Sequence, residues 1–353
     1  MKILSIGNFT RYGESNTCLL RHKSLEKISN ENIDSVNTCV KFNFINKVIH
    51  KLFNYGYDIS YINTHNFNTE ILKKIQNNNY DIAWIDKGIG IKKDTLIKLK
   101  ESSPMTLVIG YSPDEMTRRH NQSADFLKSL PYYDAYITTK SYAIDELKKN
   151  GAKKVYFVNK SFDPNFHYPR NVSEQDICRL GGDIGFIGAW EKERADSILY
   201  LAKKGLNIRV WGGGQWLIYK NKYKNLIIED SGLYTDDYPK ALSSFKINLC
   251  FLRKINSDLQ TARTMEIPAC AGFMLAERTI EHQNLFEEGV EAEFFSDNEE
   301  LYLKCKIYLN DSDAREKIRL AGYQRCISSG YSNFKTLQNV IYKILEDYSY
   351  AEN

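Results

Sequence analysis

No stretch of this 353-residue chain approaches the run of about 18 apolar residues that crosses a membrane. Residues 1–9 form a single short apolar run. It leads into Thr10-Arg11-Tyr12-Gly13-Glu14 without the long apolar core and small-residue cleavage site of a signal peptide. No Cys-x-x-Cys pair occurs either. The seven cysteines are odd in number and scattered, which predicts reduced, mostly buried thiols in a cytoplasmic protein. The six histidines are also scattered, with no His-Glu-x-x-His, so a zinc site has little support. A concentrated basic stripe is missing as well: Lys+Arg 48 against Asp+Glu 44 leaves +4, which argues against a nucleic-acid partner. There is no internal repeat of roughly 20–50 residues and no low-complexity tail.

What remains is an ordinary globular balance, 42% hydrophobic and 26% charged, at a length that suggests about two domains. The aromatic share of 13% argues against disorder and for packed surfaces or pockets. Short apolar strands alternate with helical stretches. In the first half, strands are predicted at residues 2–6, 58–62, 82–86, 106–110, 135–138 and 155–158. Helices are predicted at 17–28, 36–52, 71–76, 96–101 and 142–149, the last stopped by Gly151. Residues 163–178, with Pro164 and Pro169, break the pattern and read as an interdomain linker, drawn at 166–180 between domains at 1–165 and 181–332.

Alternation then resumes. Strands are predicted at 183–187, 208–211, 226–229, 247–251 and 273–276, and helices at 194–203, 239–244, 262–270, 298–309, 313–326 and 333–348. Pro268 is expected in the first turn of its helix or at a kink. The expected fold class is α/β, doubly wound: two Rossmann-like domains in tandem with a cleft between them, ligands sitting at the carboxyl ends of the strands. Such an arrangement suits group transfer.

Four segments carry candidate chemistry. Gly188 follows a strand and precedes Glu191-Lys192-Glu193-Arg194 at a helix start, where backbone N–H groups and Arg194 or Lys192 can meet a diphosphate. A tight turn with a solvated charge run is the plain alternative. Trp211-Gly212-Gly213-Gly214-Gln215-Trp216 puts three glycines after a strand, suited to close approach of a ligand, with the tryptophans as a stacking wall. A flexible turn with core tryptophans would look the same, and neither a Walker loop nor Gly-x-Gly-x-x-Gly is present. The segment 258–273 places Asp258 and Glu266 eight apart and Arg263 three before Glu266, with Gly272 at the following turn leaving room for a phosphate. A buried structural Arg263–Glu266 pair is its alternative. In the first half, Asp114 in Tyr111-Ser112-Pro113-Asp114 and His120 are candidates for an acceptor-side base or orienting group, or are simply hydrogen-bonding loop residues. Thr138-Thr139-Lys140-Ser141 either contacts a ligand or caps a helix. No metal pattern stands out.

The runs 183–216 and 258–295 resemble bacterial glycosyltransferases of the CgeB-like, spore-maturation type. The resemblance rests on Thr261-x-Arg263-x-x-Glu266-Ile267-Pro268-Ala269-Cys270-x-Gly272-Phe273-Met274-Leu275, then Glu281-His282, Leu285-Phe286-Glu287-Glu288-Gly289 and Phe294-Phe295. Tyr111-Ser112-Pro113-Asp114, His120-Asn121-Gln122-Ser123, Thr138-Thr139-Lys140-Ser141 and Phe162-Asp163-Pro164 extend it over nearly the whole chain. It implies a GT-B fold related to the group 1 retaining enzymes, with a last helix (333–353) packing back on the first domain. It further implies a nucleotide-sugar donor, no metal or other cofactor, and Glu266 at the position of a ribose-binding acid. Asp258 stands where those enzymes carry a first glutamate, a shorter side chain there. Arg263, Gly188 and Arg194 fall near the diphosphate, and Trp211 with Gly212 to Gly214 near the nucleotide.

The expected function is transfer of a sugar to an acceptor hydroxyl of a glycan, lipid-linked molecule or protein in surface-polysaccharide synthesis. It would act in the cytoplasm, with peripheral contact at the inner membrane face left open. A nucleotide-sugar epimerase and a non-catalytic sugar-nucleotide or glycan-binding module are the alternatives.

Overall fold

The computed structural model describes residues 1–10, 16–39, 44–62 and 64–349. The chain forms two compact units. The second is Lys160–Ser332; the first contains the residues before Lys160 together with the last helix.

The first unit is built on β1 (Ile3–Gly7), α1 (Thr17–Ser29), β2 (Asp34–Asn37), α2 (Phe44–Asn54), α3 (His65–Asn77), β3 (Ile82–Asp86) and α4 (Lys93–Ser102). It continues with β4 (Leu107–Ser112), α5 (Ala124–Ser129), β5 (Ala135–Thr138), α6 (Ile144–Lys149) and β6 (Val155–Phe157). All strands are parallel, in the order β2-β1-β3-β4-β5-β6. A parallel sheet is covered on both faces, so its strands are apolar on both sides. Leu4, Ile6, Ala83, Ile85 and Val108 face a core closed by Phe67, Ile71, Leu96, Leu99 and Leu147 of α3, α4 and α6. Ile3, Ile82, Trp84, Ile109 and Ile137 face the other core. That core is closed by Leu25 of α1 and by Leu337, Val340, Ile341 and Ile344 of a helix from the far end of the sequence. The same helix is tied by Tyr156 Oη donating to Asp347 and Tyr348 Oη donating to the Asp134 carbonyl, at 2.7 and 2.6 Å.

The second unit runs α7 (Glu174–Leu180), β7 (Gly182–Ile187), α8 (Lys192–Lys203), β8 (Ile208–Trp211), β9 (Leu226–Ile228), α9 (Asp237–Ser244) and β10 (Phe245–Cys250). Then follow α10 (Arg263–Ala269), β11 (Met274–Glu277), α11 (Ile280–Leu285), β12 (Glu293–Phe295), α12 (Asn298–Asn310) and α13 (Ser312–Ser328). The helix that returns to the first unit is α14 (Asn333–Ser349). The parallel strand order β12-β11-β10-β7-β8-β9 reverses direction between β7 and β10. That is the doubly wound Rossmann order, with its switch point at this pair. In the first unit the switch lies between β1 and β3.

Several expectations are corrected. Residues 36–52 are not one helix: Val36 lies in β2, buried and paired in register with Ile6, and α2 starts at Phe44. Residues 40–43 of that expected helix lie outside the described residues. Residues 58–62 make no strand, because the Asn46 side chain takes both the N–H and the C=O of Ile62. The stretch 166–180 contains α7, opened by a capping box of Ser173 with Asp176, and belongs to the second unit. Of the two places expected for Pro268, the first turn is excluded: it lies inside α10, near its end. The cysteines are free; Cys39 and Cys178 are exposed and the other five buried. Among the described residues no helix is long and apolar enough to cross a membrane.

The β7–β10 contact is tight enough to require a missing side chain. A Cβ on Gly185 would lie 2.3 Å from the Phe245 ring. Gly185→Ala is therefore expected to destabilise the second unit by about 1–3 kcal/mol through overpacking, read as a lower urea midpoint at unchanged slope.

Candidate functional site

The switch point of the second unit gathers the best-defined cluster. Gly188 leaves β7 with its N–H donating to Trp211 O and its carbonyl accepting from Trp216 Nε1, both at 2.9 Å. A Cβ here would lie 3.0 Å from an Arg263 guanidinium nitrogen, so the bare backbone is the surface on which Arg263 rests. Arg263 and Arg194 both lie over the Phe186 ring, at 5.8 and 5.7 Å. Their situations differ. Arg194 is 2% exposed, and its guanidinium donates to the carbonyls of Leu252 (3.1 Å), Ala189 (2.9 Å) and Phe251 (3.5 Å). Burial, followed by the charge of Arg263, lowers its pKa to about 10. This corrects the expectation of a diphosphate ligand: Arg194 braces the exits of β7 and β10. Glu191 spans the same gap, accepting from Arg253 Nε and Lys254 N at 3.0 Å each.

Arg263 has no carboxylate within ion-pair distance among the described residues, and its Nε is buried without a hydrogen-bond partner. No direct Arg263–Glu266 ion pair forms, but the two stay coupled: against the effect of burial, the Tyr238 hydroxyl and the Glu266 charge raise the Arg263 pKa. Glu266, also buried, turns elsewhere: Tyr238 Oη donates to it at 2.5 Å, and His167 Nε2 lies 3.5 Å away. His167 Nδ1 accepts from the Asp163 N–H at 3.1 Å, so the ring proton sits on Nε2, facing the carboxylate. None of Asp163, His167 or Tyr238 was singled out as a functional residue by sequence; their separation from Glu266 along the chain hides them.

The other expected residues are placed as follows. Asp258 is buried in the loop after β10, its N–H donating to Arg253 O at 3.2 Å. Gly212 packs against the Gly188 carbonyl, where a Cβ would come to 2.4 Å. Gly213 and Gly214 have φ of +59° and +56°; a Cβ on Gly213 would meet Asp230 O at 2.6 Å, whereas Gly214 faces open space. The tryptophan wall does not form: Trp216 is wholly buried in the core, and Trp211 donates to Leu180 O at 3.1 Å beside α7. Gly272 leaves no phosphate space, since a Cβ would meet Leu242 O and Asn248 Nδ2 at 2.8 Å.

In the first unit, Asp114 is ion-paired with Lys87 at 2.5 Å, so it is not a bare carboxylate base. His120, half-buried, lies 3.1 Å through Nε2 from Asn121 Nδ2. Sequence reasoning missed the pair at the switch point: Arg21 grips Asp86 with two bonds, 2.6 and 3.0 Å, over the Tyr111 ring. These partners are 65 residues apart, so spacing could not pair them. Among the described residues no group of three His, Cys, Asp or Glu side chains is placed to hold a metal ion.

Residues 194–341 match the family described as glycosyl transferase-like. A comparison with curated proteins gives no significant match. Among solved structures, the chain is similar to Anabaena HepE in complex with UDP and glucose, at 11% identity and TM-score 0.63, covering 98% of this chain and 100% of that one. It is similar to sucrose-phosphate synthase of Thermosynechococcus elongatus at 10% identity and TM-score 0.62, covering 99% and 100%. A Listeria monocytogenes protein, described provisionally as a UDP-N-acetylglucosamine 2-epimerase, aligns at 11% identity and TM-score 0.58 over 100% and 98%. With two six-stranded parallel sheets, the fold is GT-B.

The buried histidines set a pH dependence. Burial lowers the pKa of His167 against the opposing pull of Glu266 and Asp163. It also lowers that of His282, which bonds the Glu277 carbonyl through Nδ1 and Thr264 through Nε2. A depressed folded pKa means the unfolded chain binds more protons below its own value near 6.5. Stability of the second unit should thus fall as pH drops below about 6.5, by at most about 1.4 kcal/mol per pH unit for each histidine. Urea unfolding at pH 7 and pH 5 reads this, and His282→Gln should flatten the dependence.

Proposed function

We propose that this protein is a glycosyltransferase that moves a sugar from a nucleoside-diphosphate donor to an acceptor hydroxyl. The observation that carries the reading is Arg263: a buried cation with no carboxylate at ion-pair distance among the described residues and an unpartnered Nε, lying on the side-chain-free backbone of Gly188 at the switch point of a Rossmann-type sheet. Arg263 would hold the diphosphate by charge-assisted hydrogen bonds, and Glu266, oriented by Tyr238 and His167, would receive the ribose hydroxyls. Gly214 leaves open space for the nucleotide, and Asp258 would face the sugar. Asp114 and His120 are the proposed acceptor-side groups. The bond from the anomeric carbon to the diphosphate oxygen breaks, one to the acceptor oxygen forms, and the acceptor proton leaves to a base or solvent. Stabilising the departing diphosphate is the main catalytic task.

The similarity to HepE bound to UDP-glucose supports a UDP-sugar as donor. In its finer form the reading is a CgeB-like enzyme of surface-glycan synthesis, acting with retention and without a metal. The likeness to the Listeria protein supports a second reading, epimerisation of a nucleotide sugar.

Arg263→Ala is expected to weaken donor binding by about 1.5–3 kcal/mol, the worth of hydrogen bonds to a charged group. A thermal-shift series reads this, since UDP at 100 times its dissociation constant stabilises the wild-type protein by about 2.7 kcal/mol. Full retention of the shift and of turnover in Arg263→Ala and Glu266→Ala would remove the donor-site assignment. Incubation with UDP-sugars decides the chemistry: release of UDP supports transfer, and an epimerised sugar supports the second reading. Turnover unchanged by a chelator is the expected result for metal independence.

A further inference from the structure

We propose that the outer face of α2, with the loop that follows it, docks this protein on an anionic lipid bilayer. The helix turns Asn46, Ile49 and Phe53 into the first unit. Its opposite side is also apolar: Phe44 is 80% exposed, Ile45 52% and Val48 41%. Tyr55 and Tyr57 extend the same surface at 72% and 61% exposed. An amphipathic helix normally gives water a polar face; here the apolar strip is exposed as well, with Lys47 and Lys51, one turn apart, on its flank and the half-buried His50 and exposed Asn54 beyond them.

The charge identifies the occupant. α2 contains no Asp or Glu, and both lysines are exposed. The nearby Asp58 is held by Arg119 at 3.1 Å. Apolar and aromatic side chains next to lysines, whose stems reach along the surface while their ammonium groups stay in water, match the boundary of an anionic membrane. A second copy of this chain fits less well, because a two-fold contact through this face would bring like charges together. The surface is held firm: Asn46 bonds both backbone groups of Ile62, and Arg119 donates to the Phe53 carbonyl at 2.8 Å. The inference is independent of the donor site, since binding to lipid needs no nucleotide.

The test uses the full chain and vesicles of three parts phosphatidylcholine to one part phosphatidylglycerol, with pure phosphatidylcholine vesicles as the neutral control. The protein should cosediment with the anionic vesicles and release as salt rises. Phe44→Ser with Val48→Ser should lower the affinity by about tenfold or more through lost apolar transfer. Lys47→Glu with Lys51→Glu should bring it to the level of the neutral vesicles. Ile227→Ser, at an exposed position of the second unit, should bind like wild type. All variants should keep the unfolding midpoint and the UDP-induced shift. Absence of cosedimentation, equal binding by the α2 variants, or equal loss in Ile227→Ser would overturn the proposal. So would concentration-dependent dimerisation abolished by the α2 substitutions, which would assign the face to a second copy.

Discussion

Arg194 reaches from α8 to the carbonyls of Ala189, Phe251 and Leu252 and so fastens the exits of β7 and β10 to each other. These are the neighbouring strands at which the sheet changes direction. Beyond their last ladder bonds the two loops diverge, and nothing in a Rossmann sheet by itself keeps them in register. A guanidinium can do this because its donors lie in one rigid fork, and three carbonyls offset much of its lost hydration. The arrangement has an electrostatic side effect. With Arg194 committed to the backbone, Arg263 over the same Phe186 ring meets a like charge. Burial disfavours the Arg263 cation, but the Tyr238 hydroxyl and the Glu266 charge outweigh it and raise its pKa, so the like charge of Arg194 is tolerated.

Arg263 and Glu266 show how one short helix separates two opposite charges. Three positions apart, they would be expected to meet. Tyr238 and His167 instead hold Glu266, and Arg263 feels its charge without a direct ion pair. A carboxylate held by a phenol and an imidazole keeps its acceptor sites in fixed directions.

The sheet architecture was legible because the central parallel strands are buried on both faces and read as compact, largely apolar runs. Ile3 to Ile6, Ile82 to Ile85 and Ile247 to Cys250 are such runs. The segment around Val36 was not, because a short edge strand of Asp, Ser, Val and Asn has too little pattern to stand out from the helix that follows it. Site legibility followed the same division. Gly188, Arg263 and Glu266 lie in two local motifs and could be picked out. The division of work between Arg194 and Arg263 could not, since it turns on which carbonyls lie within reach. Tryptophans beside glycines looked like a ligand wall, yet the buried indole of Trp216 fills the space a Gly212 side chain would take. Asp86 did not stand out, because its partner Arg21 lies on another element.

The helix α14 follows the whole second unit in sequence but closes the core of the first. During synthesis, one face of the first sheet, including Trp84, Ile109 and Ile137, has only α1 to cover it until Lys160–Ser332 has been made. The first unit is therefore the earlier to begin and the later to finish. Its completion depends on a contact of very high sequence separation, the kind that slows folding and prolongs exposure of apolar surface. The second unit, continuous in sequence, can form during that interval, so order of synthesis and order of completion run in opposite directions.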